Sequence, residues 1–186
     1  MRIAPVGHDD VEDVVRAHIA LQHVSYAHMA DRGHASALWG SFDRRRADLH
    51  DEVDAVAAAR ASGREPEATH WVARTERGAV AGLSAAFRGV RAWEHDLFGD
   101  AWRPSGAEWC LDTLYVMPHL RGARLGQRLM EAALPGGRAA YLWVIAGNDS
   151  AVRFYRRHGF TTDGFGGRSG PNWGDMEMIR MVRPAH

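Results

Sequence analysis

The sequence predicts a mixed α/β (α+β) fold: one sheet of short strands with about four helices around it. Three observations carry this. The first third shows helical periodicity, the middle changes abruptly to short strand-like runs, and the last third alternates apolar runs with short helical segments bounded by glycines. The chain has 186 residues, which suits one ordinary domain, and it is 46% hydrophobic and 25% charged, the balance of a protein with a real core.

The elements follow in order. "RIAPV" reads as a short first strand. A helix is predicted from His8 to Ala30, with Val11, Val14, Val15, His18, Ile19 and Gln22 at helical spacing and Asp9 and Asp10 suiting its start. A second helical region runs from about Ala35 to Arg60 and ends in the polar break "ASGREPEA". "THWVART" and "AVAGLSAAFR" read as strands joined by a hairpin. The stretch Gly89–Glu108, carrying Trp93, Phe98 and Trp102, reads as a long loop. "WCLDTLYVM" is a strand, Gly122–Leu134 a helix stopped by Pro135, Gly136 and Gly137, and "AAYLWVIAG" a strand buried on both faces. "NDSAVRFYRRHGF" is a short helix closed by Gly159, and "TTDGFGG" and "DMEMIRMVR" are the last two strands.

Composition narrows the function classes. Lys plus Arg and Asp plus Glu are 23 each, so a dedicated nucleic-acid binder, with its basic excess, is not expected. The eleven histidines make net charge pH-sensitive below about 6.5. Cys110 is the single cysteine, which rules out an intrachain disulfide and a Cys-rich metal site. No apolar run approaches the roughly 18 residues of a membrane span, and the N-terminus has no signal-like core. The expectation is a cytoplasmic protein with no membrane or nucleic-acid partner. His18, His23, His28 and His34 do not share a helical face, and no metal is expected.

The stretch "RGARLGQRL", Arg121 to Leu129, joins a strand to a helix with glycines and arginines at the turn. A helix start carries unpaired N–H groups and about half a positive charge, glycine admits close approach, and Arg121 and Arg124 add charge. That combination suits phosphate or pyrophosphate. It lacks the endings of the P-loop and of the dinucleotide fingerprint. Taken by itself, a solvated helix start explains the pattern as well.

The turn has company. "LYVMPHLRGARLGQRL" resembles the acetyl-CoA signature of the Gcn5-related N-acetyltransferase (GNAT) family, with Pro118, Arg121 and Gly126 on the pattern and Arg124 where a glycine usually stands. "NDSAVRFYRRHGF" resembles the family's other signature, with Asn148, Ala151, Phe154, Tyr155, Gly159 and Phe160 in register. The resemblance implies one N-acetyltransferase domain over 1–186. Residues 1–68 would be variable acceptor-side helices, and 69–183 the sheet core carrying the coenzyme motifs. It implies a mixed, mostly antiparallel sheet splayed between strands 4 and 5.

It also implies a site. Acetyl-CoA would be the cosubstrate, held by Leu114, Tyr115, Val116, Arg121, Gly122, Ala123, Arg124, Leu125, Gly126, Gln127 and Asn148. The amine would attack the thioester directly, backbone N–H near Val116 would polarise its carbonyl, and Tyr155 would protonate the departing thiolate. Without the motif, Tyr155 reads as a core residue of one helix face. The family's usual strand-4 carboxylate is replaced here by Cys110, so Glu108 or Asp112, on the same strand face, is the candidate base. Both carboxylates read equally well as partners of nearby arginines. Cys110 reads as a buried, inert thiol. Trp93, Trp102 and Trp109 could line an acceptor pocket or pack the loop onto the sheet.

The expected function is acetyl transfer to a primary amine, the acceptor a small molecule. The alternatives are an acyl-CoA-binding sensor without turnover and a protein or peptide acetyltransferase. A homodimer is open.

Overall fold

The computed structural model describes residues 1–29, 33–170 and 174–185. The strands are β1 (Arg2–Pro5), β2 (Ala68–Arg74), β3 (Val80–Arg88), β4 (Trp109–Val116), β5 (Ala140–Ile145), β6 (Thr161–Arg168) and β7 (Glu177–Arg183). They form one sheet in the order β1-β2-β3-β4-β5-β7-β6, antiparallel throughout except for the β4–β5 pair.

The described helices are α1 (Val11–Tyr26), α2 (His34–Gly40), α3 (Phe42–Ala61), α4 (Ala92–Phe98), α5 (Leu125–Ala133) and α6 (Asp149–Arg157). These are six where about four were expected, for two reasons. The second helical region breaks at Ser41, whose hydroxyl donates back to the Leu38 carbonyl and ends α2. The predicted loop also holds α4. Its start is tied by the Arg91 N–H donating to Glu94 Oε1 at 3.2 Å. Glu94 is fully buried and accepts from the Tyr141 hydroxyl at 2.8 Å, so β5 holds the short helix in place. Helix α1 ends at Tyr26, short of the predicted end; Ala30 lies outside the described residues.

Alternation along the strands sorts the core into two layers. Val72 joins Val11, Val15, Ile19, Leu49 and Val53 under α1 and α3, while Ala73 and Ala81 meet Leu125 and Leu129 of α5. Met130, Leu142, Val144, Val152 and Phe160 fill the space under α5 and α6. Apart from half-buried Trp143, every β5 residue is buried, as its unbroken apolar run predicts.

Gly82 lets β3 approach β4 and α5. A Cβ there would lie 2.7 Å from the Tyr115 carbonyl oxygen and 2.9 Å from Leu129 Cδ1. Gly82→Ala is expected to cost about 1–3 kcal/mol through this overpacking. A lowered urea midpoint at unchanged m-value is the readout; an unchanged midpoint would show that the sheet yields there freely.

Candidate active site

Two strands that start as neighbours part company. β4 and β5 pair only at Trp109↔Ala140 and Cys110↔Tyr141. Beyond that point Leu111–Val116 remains bonded to β3, and Leu142–Ile145 to β7. Their facing backbone edges have no strand between them. Such an open wedge is a slot for an extended, hydrogen-bonding chain.

The wedge widens into a cleft of about 870 Å³. One wall is β4, with Asp112, Leu114, Tyr115 and Val116. The other is β5 and α6, with Trp143, Asn148 and Tyr155. The end of α1, Val24 to Tyr26, closes one side. Arg121, Gly122, Arg124, Leu125, Gly126 and Gln127 line it at the start of α5. Of the residues expected to hold the coenzyme, Ala123 alone is not on this lining.

The start of α5 is built for an anion. Gly122 has φ +90°, and Arg124, at the N-cap, has φ +55°. That left-handed conformation is the physical reason glycine suits the position of Arg124. No side chain caps the helix, and its first N–H bonded back into the helix is that of Arg128, to the Arg124 carbonyl. The preceding turn therefore presents free N–H groups beside two exposed arginines. Gly126 keeps this floor thin: a Cβ on it would meet the Phe154 ring at 3.3 Å.

Asn148 has a local task. Its Oδ1 accepts from the Ala151 N–H at 3.2 Å and so caps α6. Its amide meets the Tyr26 hydroxyl, which also accepts from the hydroxyl of Tyr115. The hydroxyl of Tyr155 lies in the same tyrosine group. Removal from water, then the neighbouring Tyr26, pushes Tyr155 well above its ordinary value, so it carries its proton at neutral pH. Tyr155 is only half-buried and opens on the cleft, with Phe160 packed edge-on at 5.7 Å.

The two candidate bases separate. Glu108 precedes β4, is exposed, and accepts from Arg88 Nε at 2.7 Å; it does not line the cleft. That pairing suits the other reading of Glu108, a partner of a nearby arginine. Asp112 does line the cleft. Ala85 pairs with Thr113 and Ala86 with Leu111, so Asp112 is the extra residue of a β-bulge. A bulge re-aims a side chain, and this one turns a carboxylate out of a buried strand. Asp112 Oδ1 lies 3.6 Å from Arg91 Nε, and its Oδ2 accepts from the Thr113 hydroxyl at 3.1 Å. Cys110, one step inward, is buried, and burial pushes its thiol well up; it is inert.

Sequence reasoning missed the groups behind Asp112. Arg91 also reaches Glu52 of α3 at 3.7 Å, and His70 Nε2 lies 3.2 Å from the other Glu52 oxygen. Nothing in the charged pattern around Glu52 marks it apart from its solvated neighbours. The tryptophans resolve toward packing. Trp93 and Trp102 rest on Trp143, with Phe98 stacked on it at 4.9 Å, and Trp109 lies under Arg88 and Arg138. None of Trp93, Trp102 and Trp109 lines the cleft.

Comparison with known proteins decides the family. The model of the acetyltransferase (GNAT) domain matches residues 66–162. The chain belongs to the GNAT family. Among solved structures, PaiA N-acetyltransferase from Thermoplasma acidophilum, in complex with coenzyme A, superposes with TM-score 0.66 at 14% identity, covering 100% of this chain and 98% of that one. A GCN5-related N-acetyltransferase from Rhodopseudomonas palustris gives TM-score 0.61 at 18% identity, with 98% and 94% covered. Spermidine N-acetyltransferase from Vibrio cholerae gives 0.55 at 13%, with 99% and 95% covered. No curated protein matches the sequence. At these identities the structural likeness speaks for the GNAT fold. Among the described residues no helix is long and apolar enough to cross a membrane.

Proposed function

We propose that this GNAT protein transfers an acetyl group from acetyl-CoA to a primary amine. The observation that carries the reading is the β4–β5 wedge leading to an uncapped, arginine-flanked helix start. An extended pantetheine arm fits a slot of unpaired strand edges, and a pyrophosphate fits free N–H groups at a helix start. The residues present fit this cosubstrate. Leu114, Tyr115 and Val116 would bond the arm, and Arg121 to Gln127 would cradle the pyrophosphate. The thioester would lie between β4 and Tyr155.

In this reading the amine nitrogen attacks the thioester carbonyl, the C–S bond breaks, and Tyr155 gives its proton to the departing sulfur. The raised basicity of the Tyr155 oxygen is matched in part by the thiolate, which the same dry cleft raises. We take the acceptor to be a small molecule, with the packing of α4 behind Trp143 of the cleft wall as its support. Localisation in the cytoplasm remains the expectation of the composition alone.

A calorimetric titration with acetyl-CoA, CoA and ATP tests the cosubstrate, and thiol release over an amine panel tests turnover. Saturable binding of both coenzyme forms but not ATP, with amine-dependent thiol release, is expected. Binding without release from any small or peptide amine would make the protein a sensor. No binding would remove the cosubstrate assignment.

A further inference from the structure

We propose that the acetyl acceptor is a primary amine with a single charged group and an apolar body, its ammonium held by Asp112 and its body lying along Trp143 and Val24. This rests on the proposed acetyl transfer and deepens it to a substrate class. An amine reaches a neutral-pH site mostly as ammonium, and a cation leaving water for a partly dry wall needs an anion there. Among the described residues the cleft wall offers two carboxylates, Asp112 and Asp149. Asp149 stands at the start of α6, its side chain 79% exposed and 4.0 Å from Arg153. Asp112 stands on β4 next to Leu111, where the wedge opens.

Asp112 has an oxygen to give. Its Oδ2 accepts from the Thr113 hydroxyl at 3.1 Å, while among the described residues its Oδ1 accepts no hydrogen bond. Arg91 Nε lies 3.6 Å from Oδ1, beyond hydrogen-bonding reach, and the same guanidinium faces Glu52 at 3.7 Å. One guanidinium divided between two carboxylates leaves Asp112 room for a second cation. With 27% of its side chain exposed, Asp112 is shielded enough to strengthen an ion pair and open enough to be reached.

Trp143 faces the same space. β4 and β5 last pair at Cys110↔Tyr141, and Asp112 and Trp143 each stand two residues further on. Both turn to the α4 side of the sheet: Asp112 faces Arg91, just before α4, and Trp143 stacks on Phe98 of α4. Trp143 is half-buried and lines the cleft, as does Val24 of α1, which is 56% exposed. Together they offer apolar surface that a hydrocarbon chain or ring would cover. The rest of the cleft discourages a polycation. Arg121, Arg124 and Arg157 line it around α5 and α6. They suit the phosphates of the coenzyme, and a second ammonium would meet them, or an Asp149 that already faces Arg153.

Thiol release over three kinds of amine tests the class. 2-Phenylethylamine should give a kcat/KM at least about tenfold above that of ethylamine, the burial of the ring being the difference. It should also exceed spermidine, whose further ammonium groups find no free carboxylate. Ethylamine, spermidine or a peptide amine that matches 2-phenylethylamine overturns the class and leaves acetyl transfer intact.

Titrating 2-phenylethylamine into protein saturated with CoA, which has no acetyl group to give, reads acceptor binding apart from turnover. Asp112→Asn should weaken that binding about tenfold or more, the loss of a charged hydrogen-bond partner, with CoA affinity unchanged as the report on folding. Val24→Ser, at an exposed position, should narrow the kcat/KM gap between 2-phenylethylamine and ethylamine. Unchanged amine affinity in Asp112→Asn, or an unchanged gap in Val24→Ser, overturns the assignment of these residues. A wild type that releases no thiol with any amine overturns the acetyl transfer and this inference with it.

Discussion

Tyr155→Phe is expected to lower kcat by about 10²-fold or more, with acetyl-CoA affinity changed by no more than about threefold, a cost under about 1 kcal/mol. The substitution deletes one oxygen at the mouth of the wedge. Phe154, Phe160 and Tyr155 form an edge-on aromatic group, and phenylalanine retains its shape. The hydroxyl's role falls in the transition state, where sulfur gains charge as the C–S bond breaks. A loss confined to that step lowers kcat and kcat/KM together and spares ground-state binding. Equal loss in binding and turnover would place Tyr155 among the coenzyme contacts. Unchanged turnover would leave it a packing residue of α6. The leaving group offers an internal control: an acetyl thioester of an activated, low-pKa thiol should lose the dependence on Tyr155, because such a thiolate departs without a proton.

Gly126→Glu should abolish coenzyme binding in a folded protein, at least a 10³-fold loss, or about 4 kcal/mol. Two effects add. The new Cβ meets Phe154 at 3.3 Å, so α5 and α6 must separate slightly at the floor of the cleft. The carboxylate also competes for the free N–H groups at the start of α5 and opposes an anionic ligand. Gly126→Ala isolates the first effect, since Phe154 must give by only a few tenths of an ångström; a modest loss is expected there. Calorimetry with CoA, alongside circular dichroism, reads both variants. Full binding by a folded Gly126→Glu protein would show that the pyrophosphate lies elsewhere.

Much of the architecture is legible in sequence because it is local. The turn before α5 combines Gly122, an uncapped start and the amphipathic spacing of Leu125 and Leu129, all within nine residues of chain. Asn148 announces the start of α6 through a cap three residues long. The unbroken apolar run of β5 states its burial. Helix α4 escaped because a seven-residue helix has little intrinsic stability and a tryptophan-rich stretch reads as readily as a loop; Glu94 needs Tyr141 of β5 to hold it. Glu108 kept two readings because strand alternation sets the face of a side chain and says nothing about its partner; Arg88 on the neighbouring strand pairs with it. Asp112 was legible as a candidate, while the bulge that turns it out of β4 emerged only from pairing with β3.

The sequence by itself determined the seven strands, four helical stretches, their order and the two signatures that place this chain in the GNAT family, since periodicity, caps and turn chemistry act over a few residues. Tertiary structure alone decided where β4 and β5 part, which carboxylate faces the cleft, and how Glu52 comes to share Arg91 with Asp112. Basicity and pairing depend on how much water a group has lost and which charges stand opposite, and those neighbours arrive from α3, β2, β4 and the turn before α4 only once the chain has folded.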